Sequence, residues 1–222
     1  MSTYQRILFD LDGTLTDPKE GILNSIEYAL HKFGIGVGRR EELLTFIGPP
    51  LQESFQKYFN FDAEQARQAV QYYREYFAKQ GIFENNVYPG ISELLGKLLT
   101  SGRFLAVATS KPTVYSERIL EHFKLNKYFQ LVIGSNLDGS RVAKTEVIQE
   151  VLNRIPSVPK GLIVMVGDRE HDIIGAKNNH IDSIGVTYGY GTENELKAAG
   201  AQYLAGSVAE LERTLLNPDS SD

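Results

Sequence analysis

Two aspartates, Asp10 and Asp12, stand two positions apart at the end of an apolar run, Ile7-Leu8-Phe9. Such a run reads as a buried parallel strand. Residues i and i+2 of an extended chain point to the same side, so both carboxylates are expected to face one small volume. Gly13 follows and permits a turn that a side chain would resist. Two like charges held that close need a cation or protein donors to offset them. The pair therefore suggests a divalent metal, with one carboxylate free to act as nucleophile or acid/base.

Other chemistry-bearing groups sit at the ends of further apolar runs. Phe104-Leu105-Ala106-Val107-Ala108 stops at Thr109-Ser110-Lys111-Pro112. Pro112 suits a first helical turn, so Thr109 and Ser110 are expected at a helix N-terminus, a ready anion site. Leu162-Ile163-Val164-Met165-Val166 runs into Gly167-Asp168-Arg169-Glu170-His171-Asp172, which adds acids at the same sheet edge. Lys144 opens an amphipathic helix marked by Val147, Ile148, Val151 and Leu152. A lysine there opposes the helix dipole, which implies a nearby anion. Arg169, Glu170 and His171 read as exposed positions within the acidic segment. His31, His122 and His180 are scattered and carry no metal pattern.

Alternating strands and helices position these groups. From Val87 onward, apolar runs of strand length alternate with helical patterns, which argues for a parallel sheet with helices on both faces. Ligands of such sheets collect at the carboxyl ends of the strands. Residues 17–85 break this alternation with helical stripes alone, namely Ile22, Leu23, Ile26, Ala29, Leu30 and Phe33, then Leu51, Phe55, Tyr58 and Phe59, then Ala66, Ala69, Val70, Tyr73 and Phe77. Asp17-Pro18-Lys19-Glu20 reads as a capping-box helix start. The expected architecture is an α/β doubly wound parallel sheet built from residues 1–16 and 86–222, with an all-helical cap over residues 17–85. The aromatic stripes read as cap core, and Asn217-Pro218-Asp219-Ser220-Ser221-Asp222 reads as a frayed tail.

Composition narrows the partners. The net charge is −5 and no basic run occurs, which argues against nucleic acid. There is no cysteine, so disulfides and thiolate metal sites are excluded. Met1–Arg6 does not read as a signal peptide, and no apolar run approaches the ~20 residues of a membrane span. A cytoplasmic enzyme is expected. Because the chain is acidic overall, an anion site needs local positive charge, which a metal and Lys144 would supply.

Taken in order, these residues resemble the haloacid dehalogenase superfamily of phosphohydrolases. Asp10-x-Asp12-Gly13-Thr14 resembles its first motif, Thr109-Ser110 its second, Lys144 its third, and Gly167-Asp168-x-x-x-Asp172 its fourth. The arrangement is most similar to the phosphoglycolate-phosphatase-like subgroup, whose helical cap is inserted after the first motif. Phe46-Ile47-Gly48-Pro49-Pro50-Leu51 resembles a cap segment of that subgroup.

The resemblance implies hydrolysis of a small phosphomonoester, of the phosphoglycolate or nucleoside monophosphate class, by two displacements. It implies Asp10 as nucleophile and Asp12 as acid/base. Thr109, Ser110 and Lys144 are implied on the phosphoryl oxygens, with Gly13 and Thr14 adding contacts at the turn. Mg²⁺ is implied on Asp10, Asp12 through its main-chain carbonyl, and Asp168. Asp172 stands beside the metal or orients Lys144. A phosphomutase or pyrophosphatase of the same superfamily stays open, as does a phospho-accepting regulatory or binding module. Monomer and homodimer both stay open.

Overall fold

The computed structural model describes residues 4–216. Met1–Thr3 of the opening segment and the Asn217–Asp222 tail lie outside the described residues. The chain divides into two compact units, Met1–Thr16 with Val87–Asp222, and Asp17–Asn86. It enters through β1 (Arg6–Phe9) and crosses at β2 (Thr16–Asp17) to the helices α1 (Lys19–Lys32), α2 (Leu51–Phe59) and α3 (Ala63–Tyr76). It returns through β3 (Asn86–Val87), which pairs with β2.

The larger unit alternates from there. α4 (Ile91–Thr100), β4 (Phe104–Pro112), α5 (Thr113–His122), β5 (Leu131–Ser135) and α6 (Lys144–Arg154) come first. β6 (Ile163–Gly167), α7 (Glu170–Asn178), β7 (Asp182–Val186), α8 (Glu193–Ala199), β8 (Tyr203–Ala205) and α9 (Val208–Leu216) follow. Six strands form one sheet in the order β5-β4-β1-β6-β7-β8, parallel at each pairing. The chain fills one side of β1 first and then the other. The order therefore reverses between β1 and β6, where open α/β sheets form a ligand crevice.

Both sheet faces are buried, as near-continuous apolar strands require. Leu8, Ala106, Ala108, Ile133 and Met165 pack with Val147, Ile148 and Val151 of α6 and Ala176 of α7. The alternate residues Ile7, Phe9, Leu105, Val107, Val164 and Val166 are closed to solvent as well. Each large apolar side chain so buried contributes roughly 1.5–3 kcal/mol. Phe9 pairs in register with Val107 of β4 and Val166 of β6. That register sets Asp10, the next residue, between β4 and β6.

Several local expectations are corrected. β4 does not stop at Ala108 but continues to Pro112, with a register irregularity between those residues. Pro112 is the N-cap residue of α5, so Thr109 and Ser110 sit on an irregular strand end and not at a helix N-terminus. α1 starts at Lys19 without a side-chain cap on its N-cap residue Pro18. Asp17 instead belongs to β2, where its Oδ1 accepts from Lys19 N at 3.1 Å, and Glu20 pairs with Arg40 and not back to the helix start. β8, α8 and α9 extend the alternation beyond the strand ending near Thr187.

In the helical unit, Phe46, Phe55, Phe59 and Phe61 form an aromatic cluster, and Tyr73 stacks on Phe77. Tyr58 departs from the expected core stripe, being 43% exposed. Pro50 is the N-cap residue of α2, preceded by Gly48 at φ +107°.

Candidate active site

Asp10 is the first residue past β1, and its N–H still donates to Val166 O of β6 at 2.9 Å. The ladder bond fixes its backbone, so the side chain is held at the strand's carboxyl end. Lys144 is the first residue of α6 and is buried. Its Nζ lies 2.8 Å from Asp10 Oδ1 and 2.7 Å from Asp172 Oδ1, and it donates to Ala108 O at 3.1 Å. The anion that a lysine at a helix start calls for is thus a pair of carboxylates. Burial disfavours the ammonium, but Asp10 and Asp172 outweigh that and raise its pKa.

Asp168 follows Gly167 at the end of β6 and is fully buried. Its Oδ1 accepts from Thr14 Oγ1 at 3.3 Å, and its Oδ2 accepts from Tyr190 N at 2.9 Å. Burial, with the charges of Asp172 and Asp10, pushes its carboxyl well above the usual range. Asp172 lies in the first turn of α7, where its Oδ2 accepts from Arg169 N at 3.1 Å. Burial lifts its carboxyl to about 6 against the opposing charge of Lys144.

Oxygens of Asp10, Asp168 and Asp172 lie within 4.8 Å of one another, and all three residues are buried. Oδ1 of Asp10 and of Asp172 each face the Lys144 ammonium, one donor group shared among two buried carboxylates and the Ala108 carbonyl, which leaves carboxylate lone pairs unused. Converging buried oxygens with spare lone pairs fit a hard divalent cation. Charge points the same way. Fully ionised, the four carboxylates (Asp10, Asp12, Asp168 and Asp172) would exceed the two ammonium groups (Lys111 and Lys144) by two negative charges, an excess that a divalent cation would neutralise.

Asp12 stands apart from the three-carboxylate cluster. Its Oδ2 lies 2.5 Å from Lys111 Nζ, and its Oδ1 is buried without a hydrogen bond. Burial raises its carboxyl, Lys111 opposes this, and Asp10 adds to it. Asp10 and Asp12 lie beyond the last residue of β1, so the extended-chain argument for a shared volume does not apply to them directly. Gly13 turns the chain at φ +82°, and a Cβ there would fall 2.3 Å from Asp168 Oδ2. This turn is the close approach that only glycine permits.

Thr109 is buried and its Oγ1 accepts from Lys111 N at 3.3 Å. Ser110, next to it, is half-buried. Both lie at the same sheet edge as Asp10, and the Ala108 carbonyl that holds Lys144 immediately precedes them.

The structure adds groups that sequence reasoning passed over. In the sequence Lys111 is one more polar residue at a strand end, and its ion pair with Asp12 needs the third dimension to be seen. Gly189 and Gly191 flank Tyr190 beyond β7, and a Cβ on either would strike Asp168 or Gly13. The glycine alternation Gly189-Tyr190-Gly191 was the available signal. Arg169 is not exposed variation: its Nε pairs with Glu195 Oε1 at 2.8 Å, and Glu195 also accepts from Glu170 N. His31, His122 and His180 are exposed, and the acid cluster found among the described residues does not include them. Among the described residues, no helix is long and apolar enough to cross a membrane.

Known proteins resemble the whole of this arrangement. A 5'-nucleotidase of Pseudomonas aeruginosa is 44% identical over 96% of this chain and 96% of its own length. The tyrosine-protein kinase PtkA of Mycobacterium tuberculosis is 37% identical over 95% of this chain and 72% of its own length. The crystal structure of a predicted phosphatase from Clostridium acetobutylicum is 52% identical, with a TM-score of 0.93 over 97% of this chain and 99% of that one. The haloacid dehalogenase-like hydrolase family matches residues 7–186. That span runs from β1 past α7 and takes in every acid of the cluster, and the chain belongs to the haloacid dehalogenase-like hydrolases.

Proposed function

We propose that this phosphatase hydrolyses nucleoside 5'-monophosphates through an aspartyl-phosphate on Asp10, with Mg²⁺ as its metal. The observation that carries the reading is the Asp10–Lys144–Asp172 ion-pair chain beside buried Asp168. It puts a carboxylate, a fixed cation and metal-type ligands at one sheet edge. The nucleotide class is supported by the 44% identity to a 5'-nucleotidase along the whole chain.

Asp10 is 7% exposed, whereas Asp168 and Asp172 are at 0% and 1%. An incoming phosphate therefore meets Asp10 and not the two acids behind it. The carboxylate of Asp10 attacks phosphorus, and the ester P–O bond breaks. Asp12 gives its proton to the leaving alkoxide. A water then attacks phosphorus of the acyl phosphate, Asp12 takes the water's proton, and inorganic phosphate leaves with Asp10 regenerated. One residue serves as acid and then base because its protonation state alternates between the steps. Lys144 lies where the phosphoryl charge builds, and Asp172 holds it there. Thr109, Ser110 and the Gly13-Thr14 turn supply further donors to the phosphoryl oxygens.

Asp10, Asp168, Asp172 and the Asp12 carbonyl would hold a divalent cation, whose charge would let a carboxylate approach a phosphate dianion. In this reading the helical unit serves as the cap, and Gly48-Pro49-Pro50 helps select the substrate.

The test is phosphate release from nucleoside 5'-monophosphates, phosphoglycolate and p-nitrophenyl phosphate, with and without Mg²⁺. Asp10→Asn is expected to lose about 10⁴-fold or more in kcat while staying folded, and nucleotides are expected to lead the panel. Activity retained in Asp10→Asn rules Asp10 out as nucleophile. Substrate consumed without matching phosphate release reveals transfer to a hydroxyl acceptor.

A further inference from the structure

The segment between β7 and α8 carries no group with obvious chemistry, yet it touches the site at four successive residues. Tyr188 Oη donates to Thr14 O at 3.0 Å. Gly189 lies so close to the acid loops that a Cβ on it would fall 2.3 Å from Gly13 O and 2.5 Å from Asp168 Cβ. Tyr190 N donates to Asp168 Oδ2 at 2.9 Å. A Cβ on Gly191 would fall 1.9 Å from Asp168 O.

Neither Gly189 nor Gly191 adopts a positive φ. Backbone conformation does not call for glycine at either position; the close approach to Asp168 and Gly13 does. The two glycines let main chain lie directly on Asp168, and the amide between them then reaches its carboxylate. The Tyr188 ring is held in turn by Tyr88, edge-on with centroids 5.0 Å apart. Asp168 stands among like charges that repel it. Thr14 Oγ1 on one oxygen and Tyr190 N on the other resist that repulsion and fix the plane of the carboxylate.

We infer that Tyr188–Gly191 is a positioning element that sets the Asp168 carboxylate and the Gly13 turn for the cation. The inference rests on the reading of Asp168 as a metal ligand. Partners that orient a ligating carboxylate are worth about 10–100-fold in metal affinity. The segment acts through Asp168 and the Gly13 turn and touches neither phosphate nor leaving group, so its loss falls first on metal binding. At Gly191, whose nearest neighbours are Asp168 and Arg169 and not the Gly13 turn, KM at saturating metal stays as it was.

The experiment is a titration of Mn²⁺ into the full metal-free chain, read by the electron spin resonance of free Mn²⁺ without substrate. Circular dichroism checks the fold. Gly189→Ala and Gly191→Ala are expected to weaken Mn²⁺ binding about tenfold or more, and Gly191→Ala, which meets Asp168 and not the Gly13 turn, is expected to keep the KM for p-nitrophenyl phosphate at saturating Mn²⁺. Tyr188→Phe, which adds no atom, is expected to weaken Mn²⁺ binding severalfold, and it carries the test if the alanine variants do not fold. Wild-type Mn²⁺ affinity in the folded variants overturns the inference. An Asp168→Asn arm separates the two readings. Undiminished Mn²⁺ binding there removes Asp168 as a ligand, whereas loss there with none in the loop variants removes only the role of the loop.

Discussion

The Lys111 ammonium stands 2.5 Å from Oδ2 of Asp12, with 7% and 13% of the two side chains exposed. Asp12 has to hold a proton in one half of the proposed reaction and release it in the other. Burial disfavours the ionised carboxylate, and Lys111 is the counterweight. In the first half-reaction Asp12 acts as the acid, so kcat/KM falls as pH rises through its pKa. Lys111→Met removes the group that pulls this pKa down. The descending limb of the kcat/KM profile is therefore expected at higher pH than in the wild type. A limb that stays put or moves to lower pH contradicts the pairing of Lys111 with the acid.

Lys144 makes a second buried pair, and here the consequence is stability. Lys144→Met leaves Asp10 and Asp172 facing each other without a cation. Breaking a buried pair by deleting one partner costs about 3–5 kcal/mol. The loss is expected in full at pH 8 and in smaller measure at pH 5, where Asp172, with its carboxyl at about 6, carries a proton. Urea unfolding in EDTA at the two pH values measures this. An equal loss at both places the cost elsewhere.

Metal and pH are linked through the same acids. The carboxyl of Asp172 is raised from 3.8 to about 6 in the folded chain, so between those values the unfolded chain binds fewer protons. Stability of the metal-free protein therefore falls as pH rises across that window, by on the order of 3 kcal/mol from this group. Asp168, also raised, acts in the same direction. A divalent cation competes with those protons. The rise in Tm on adding Mg²⁺ is expected to be larger at pH 7.5 than at pH 5, as differential scanning calorimetry can measure. A rise independent of pH argues against these carboxylates as the site.

How much of this is legible without coordinates depends on the range of the interaction. Asp10, Thr109 and Asp168 are readable because each ends an apolar run, and a parallel sheet puts all such ends on one edge. Lys144 is readable because a lysine at a helix start opposes the dipole. The end of β4 is misread because Pro112 looks like a first-turn proline, whereas an irregular stretch before it prolongs pairing with β5. Tyr58 is misread because its spacing matches a buried stripe, and spacing does not say where a short helix runs out of neighbours. Lys111 and the Tyr188–Gly191 segment stay hidden for a different reason. Their partners are set by tertiary packing across the sheet edge, which no local pattern encodes.

Thr14 offers a test of whether Asp168 is held or merely near. Thr14→Val keeps the volume of the side chain and deletes the hydroxyl that Asp168 Oδ1 accepts from at 3.3 Å. Asp168 is fully buried, so water does not replace the lost donor. An unsatisfied buried acceptor costs about 1–3 kcal/mol, and urea unfolding in EDTA is expected to show a loss of that size. The loss alone is ambiguous, because a valine can also pack less well. Asp168→Ala in the same background resolves it, because alanine leaves the hydroxyl no acceptor. If the hydroxyl acts on Asp168, the two substitutions couple by about 0.5–3 kcal/mol. Simple additivity means that Thr14 acts on the turn and not on the acid.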